Sequence, residues 1–191
     1  MANMPVVGTD FTDNTVFIYD EDGNHLNDTI VTSHDKISQQ IQVSIMPEAL
    51  KLNDNCKLLI LSSPTPCEYR GKVKKVGGSR FIAMFQGQEK ESRGSTRYPV
   101  NTPALIDVIF TDNQPAHLQK PIQVALINIS TSGVRFRAPY YSLEDNDKFQ
   151  MHMIINNNRK KLIAQVINHV DYTNKEPNQS DYGCRFIEIL K

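Results

Sequence analysis

The feature that most constrains this chain is its repeated alternation of short β-branched and aromatic runs with turn residues, without any sustained helical period. Residues 15–19 (TVFIY) form the first such run, and the Glu21-Asp22-Gly23-Asn24 turn follows it. Residues 40–45 alternate polar and apolar side chains, the period of a half-buried strand, and 57–61 are a short apolar strand. Residues 69–76 and 80–85 flank Gly77-Gly78 and predict a hairpin. Apart from a short turn near 47–50, this half shows no helix period. Further strands are predicted at 104–110, 123–128, 133–137, 148–155, 161–170 and 182–190, with a turn at 156–158. Short strands at regular spacing point to closed or nearly closed antiparallel barrels.

Between the two sets of strands, residues 86–96 (QGQEKESRGST) carry no bulky apolar side chain and cannot join a core. They read as a linker. The chain is therefore expected to be all-β, with two β-barrel-like domains at 1–88 and 89–191. Its 191 residues suffice for two small units.

Composition excludes several functions. Lys and Arg total 21 and Asp and Glu total 21, which argues against coating nucleic acid by bulk charge. The three cysteines, Cys56, Cys67 and Cys184, form no CxxC pair and are expected to be reduced thiols. The N-terminal residues lack a basic and an apolar segment in series, so no secretory signal is expected. The longest apolar run, residues 58–61, is far short of a membrane span. A soluble, cytoplasmic protein without membrane insertion is the expectation.

Two polar motifs stand out. Arg93 and Arg97 lie four residues apart in the linker (RGSTR), ahead of Tyr98 and Pro99. Pro99 disfavours helix at Tyr98, so the pair sits on a loop. Each guanidinium is a planar fork that fits phosphate oxygens or the O6/N7 edge of guanine. The second motif, Asn128-Ile129-Ser130-Thr131-Ser132-Gly133, follows a predicted strand. Asn128 both donates and accepts, Ser130 adds a hydroxyl, and Gly133 can take positive φ or admit another group close to the backbone. Taken singly, the first motif is an ordinary solvated linker and the second an ordinary capped turn.

Together, RxxxR followed some thirty residues later by [D/N]xSxxG resembles the two-part signature of PilZ domains. The Arg97-Tyr98-Pro99-Val100 continuation and the closing Tyr182-Gly183-Cys184-Arg185-Phe186 are also similar to that family. Residues 1–88 resemble the N-terminal β domain of the flagellar-brake type of PilZ protein, without a residue signature of their own. The resemblance implies a six-stranded antiparallel barrel in the C-terminal half and cyclic di-GMP as the ligand. It implies that Arg93 and Arg97 grip guanine and phosphate groups from the linker. Asn128 and Ser130 would bond a guanine edge, and Gly133 would leave room for the base. Arg135 reads either as added charge on the same face or as an outward strand residue. The resemblance also ties the position of Ser92 to ligand stoichiometry, where serine decides nothing.

The resulting expectation is a non-enzymatic receptor with no cofactor beyond its ligand. Binding would change the interdomain arrangement and act through an unidentified protein partner, flagellar motor or polysaccharide machinery. The response would be motility, biofilm and exopolysaccharide, or virulence. One alternative is a ligand-independent adaptor; intact arginines argue against it. Another is a nucleic-acid-binding barrel using Lys72, Lys74, Lys75 and Arg80, but no aromatic residue interleaves the lysines, and no DNA partner is expected. The five histidines form no HxH or HExxH pattern, so no metal site is expected. Cys67 has no neighbour that would lower its pKa, and the serines lack a GxSxG frame.

Overall fold

A computed structural model describes residues 9–85, 95–139, 142–155, 158–172 and 178–190. Among these the secondary structure is entirely β. No helix in them is long and apolar enough to cross a membrane. The chain divides into two compact units, Met1–Ser62 with Pro66–Thr96, and Ser63–Thr65 with Arg97–Lys191.

The first unit contains β1 (Thr15–Tyr19), β2 (His25–Asp35), β3 (Gln40–Val43), β4 (Asn55–Leu61), β5 (Cys67–Val76) and β6 (Ser79–Phe85). They close into an antiparallel barrel in the order β1-β2-β3-β6-β5-β4. The interior is filled by Val16, Ile18, Val31, Ile41, Leu58, Ile60, Val73 and Ile82, all fully buried. Gly77 and Gly78 both take positive φ, 57° and 95°, between the paired residues Val76 and Ser79. Two consecutive positive φ values match the right-handed twist of the flanking strands, which explains why glycine fills both positions. The turn expected near 47–50 is present, closed by the Leu50 amide on the Pro47 carbonyl. β2 has no counterpart among the strands expected from sequence.

The second unit contains β7 (Tyr98–Pro99), β8 (Pro103–Thr111), β9 (Gln114–Ile129), β10 (Gly133–Pro139), β11 (Lys148–Ile155), β12 (Asn158–Tyr172) and β13 (Gln179–Ile189). Six of these close a ring, β10-β13-β12-β11-β8-β9, through the additional β9–β10 pairing. All pairings are antiparallel. Alternate residues point inward, as strand geometry requires. Phe136 sits in the core, edge-on to Phe149 at 5.6 Å and stacked on Tyr182 at 5.4 Å between ring centroids. Asp112 and Asn113, both at positive φ, turn β8 directly into β9. β9 therefore starts well before the strand expected at 123–128.

β7 is short but decisive in placement. It pairs with the end of β9, Tyr98 opposite Ile129 and Pro99 opposite Asn128. Proline has no N–H to give a ladder, and a two-residue edge strand tolerates it. Tyr98 and Val100 are buried and anchor the chain as it enters the barrel.

Candidate functional site

The second motif is a turn that closes on itself. The Ser130 amide donates to the Gly133 carbonyl at 2.9 Å. The Ser130 hydroxyl oxygen accepts the amides of Ser132 and Gly133, each at 3.2 Å. Ser130 is buried, so this hydroxyl faces the turn's own backbone rather than solvent. The Ser132 carbonyl accepts the Phe186 amide at 3.0 Å, which fastens the turn to β13.

Gly133 is required by packing. It is not among the positive-φ residues. A Cβ on it would lie 2.0 Å from the Cys184 carbonyl oxygen and 3.1 Å from the Arg185 Cα. Of the two reasons for glycine expected from sequence, close approach is the one that applies. What approaches is the β13 backbone.

Asn128 belongs to a row that crosses the outside of the barrel, with Arg135 at its centre. It is opposite Pro99 on β7 and opposite Arg135 on β10. Arg135 in turn is opposite Gly183 on β13, and Gly183 is opposite Asn168 on β12. Directly paired residues share a face. Val134 and Phe136 point into the core, so Arg135 points outward with Asn128. Arg97, exposed, immediately precedes the Tyr98–Ile129 pair. Arg97, Asn128 and Arg135 are thus brought to one region of the barrel surface. Arg93 and Ser92 lie outside the described residues.

A charged cluster adjoins this row, and sequence reasoning missed it. Asp181 accepts a hydrogen bond from Arg135 Nη2 at 2.9 Å, from Arg137 Nε at 2.8 Å and from the Tyr172 hydroxyl at 2.9 Å. The Arg137 guanidinium also lies over the Tyr172 ring, 5.0 Å from its centroid. The Asp181 side chain is 3% exposed. Burial alone would raise its pKa, but the Arg137 and Tyr172 hydrogen bonds and the two nearby positive charges outweigh it and hold the carboxyl below its ordinary value. The alternation Arg135-Phe136-Arg137 was the available signal for two cations on one face. Their acid partner required the β10–β13 register.

The rival basic strip is partly engaged within the first unit. Arg80 donates to the Leu50 carbonyl and Lys74 to the Asn53 side chain at 3.2 Å. Among the described residues no group of three or more metal-ligand side chains converges.

The PilZ domain family matches residues 88–191. No curated protein matches the chain. Among solved structures, the Bacillus subtilis inhibitor of motility (MotI/DgrA) is 12% identical, with 96% of this chain and 90% of that chain covered and a TM-score of 0.39. The Klebsiella MrkH–c-di-GMP complex is 12% identical, covering 91% and 78% with a TM-score of 0.36. Escherichia coli YcgR in complex with c-di-GMP is 11% identical, covering 92% and 76% with a TM-score of 0.36.

Proposed function

The chain belongs to the PilZ-domain family, and from that premise we propose that it is a receptor for cyclic di-GMP. The observation that supports this most is the pairing of β7 with the end of β9, which delivers Arg97 to the turn that carries Asn128. Family membership supplies the ligand, and the chemistry of the side chains suits it. The ligand presents two phosphates and two guanines. Arg93 and Arg97 offer planar forks for phosphate oxygens and guanine edges, and a guanidinium face can stack on a base. Asn128 and Arg135 contribute from the barrel. Ser130 and Gly133 act one step back, by fixing the turn that aims Asn128.

On this reading the protein is a signalling receptor and performs no chemistry on its ligand. Binding engages the two arginines and changes the arrangement of the two β units, because the ligand makes contacts in one state that it lacks in the other. A protein partner then reads the result. Motility is the favoured response, from the resemblance of residues 1–88 to flagellar-brake proteins.

Titration calorimetry with cyclic di-GMP tests the reading. Wild type is expected to bind at micromolar or tighter affinity, and Arg93→Ala and Arg97→Ala each to abolish the heat. Folded wild type that gives no heat at high ligand concentration sinks the proposal. Small-angle scattering with and without ligand tests the interdomain change separately.

A further inference from the structure

Arg135 is held in place by a buried acid. One of its five N–H donors reaches Asp181, while the side chain as a whole stays 39% exposed against 3% for Asp181. The bonded corner of the guanidinium therefore points into the barrel wall. The side chain remains partly exposed, on the strand position directly opposite Asn128. Asp181 is fixed in turn from two further sides, by Arg137 and by the Tyr172 hydroxyl. Arg137 is braced by the Tyr172 ring beneath it.

From this geometry we propose that Asp181, with Arg137 and Tyr172 behind it, is the positioning group that pre-orients Arg135 to receive a phosphate or guanine edge of the bound dinucleotide. The inference rests on the receptor reading and adds three residues outside both signature motifs. A flexible arginine loses rotamer freedom when it grips a ligand, and that cost opposes binding. An arginine already held by a fixed carboxylate has met that cost on folding. The apparent objection is that a carboxylate near an anionic ligand repels it. Here two guanidiniums face one carboxylate, so the cluster keeps a net positive charge. The acid is also buried, 3% exposed against 39% for Arg135.

The test measures cyclic di-GMP affinity of the full chain for wild type, Arg135→Ala, Asp181→Asn and the double variant, with a thermal melt of each. Arg135→Ala and Asp181→Asn are each expected to weaken binding about tenfold. The double variant should be no weaker than Arg135→Ala alone, since Asp181 acts through Arg135. A side-chain 15N resonance of the Arg135 guanidinium, sharp in unliganded wild type, should broaden in Asp181→Asn. A purely structural ion pair predicts otherwise: a lower melting temperature, with additive effects on affinity. If Asp181→Asn does not fold, Tyr172→Phe decides, because it keeps all charges and the ring and removes one bond to the carboxylate. A loss of about threefold is expected there, and unchanged affinity overturns the inference. So does Asp181→Asn binding as tightly as wild type, or Arg135→Ala without effect. Failure of wild type to bind is a separate outcome, and it removes the receptor reading and this inference together.

Discussion

Asn128 and Arg135 stand directly opposite each other across the β9–β10 pairing, one at the start of the second motif and the other two residues beyond its end. The turn at 130–133 folds the chain back so that both side chains share the outer face. This pairing converts a sequence motif into a surface. Asn128→Ala removes two N–H donors and one acceptor oxygen from that surface without touching the core. It is expected to weaken cyclic di-GMP binding by about 1 kcal/mol, roughly fivefold, with little change in melting temperature. Calorimetry paired with a thermal melt checks both halves. A large stability loss without an affinity change would place Asn128 in the scaffold instead.

Gly133→Ala should behave in the opposite way. The three atoms nearest its new Cβ are all backbone, the Cys184 carbonyl oxygen and carbon and the Arg185 Cα. Backbone cannot swing aside as a flexible side chain can, so β10 must move away from β13. The cost is expected to be about 1–3 kcal/mol, a drop of several degrees in melting temperature. Because Arg135 and Gly183 are paired along the same two strands, affinity should fall as well. A variant with wild-type stability and lost binding would show that Gly133 faces the ligand directly.

Much of this was legible in the sequence, for identifiable reasons. The Gly77-Gly78 hairpin, β1 and β11 announce themselves because their side chains carry the turn chemistry or the apolar pattern. β2 is longer than most strands here, yet in HLNDTIVTSHD only Thr29 and Val31 are buried as whole residues. Its Asn, Asp and His residues speak against a strand, and its pairings with β1 and β3 decide the matter. The first half of β9 is similarly hidden, since residues 114–121 are almost all exposed and include Pro115 and Pro121. The polar motifs could be located by their spacing. The Asp181 cluster could not, because it joins residues 44 and 46 positions apart and depends on a register that no local pattern encodes.

The cysteines offer a test of the two interiors. Cys56 and Cys184 are buried free thiols. Burial pushes the Cys56 thiol up to about 12 and raises that of Cys184 strongly as well. Both should be inert toward a thiol reagent at neutral pH, because the thiolate is the reactive form. Cys67 is partly exposed, with its sulfur 3.3 Å from the Ser62 hydroxyl. Mass spectrometry after brief labelling of the native protein is expected to find the label on Cys67 first, with the other two reacting only after denaturation. Early labelling of Cys184 would contradict the packing of β13 described above.

The first barrel carries an acid-sensitive contact at its N-terminal end. His34 Nδ1 accepts the Phe11 amide at 3.2 Å, and its ring stacks on the Phe11 ring with centroids 4.9 Å apart. The histidine side chain is 1% exposed. Burial lowers its pKa from the ordinary 6.5; Asp10 and Asp35 pull it up, and Lys36 pushes it further down. An Nδ1 that accepts an amide proton cannot also carry a proton of its own, so protonation breaks the Phe11 contact. The unfolded chain takes up its proton at the ordinary value while the folded chain resists. Stability from this group is therefore complete above 6.5 and is lost as pH falls through the lower folded value. Amide exchange at Phe11 should accelerate over that window beyond the intrinsic rate, and His34→Gln should flatten the profile. Protection of the Phe11 amide that stays constant from about pH 8 to about pH 5 would show that His34 keeps its neutral form throughout and that the contact does not respond to acid.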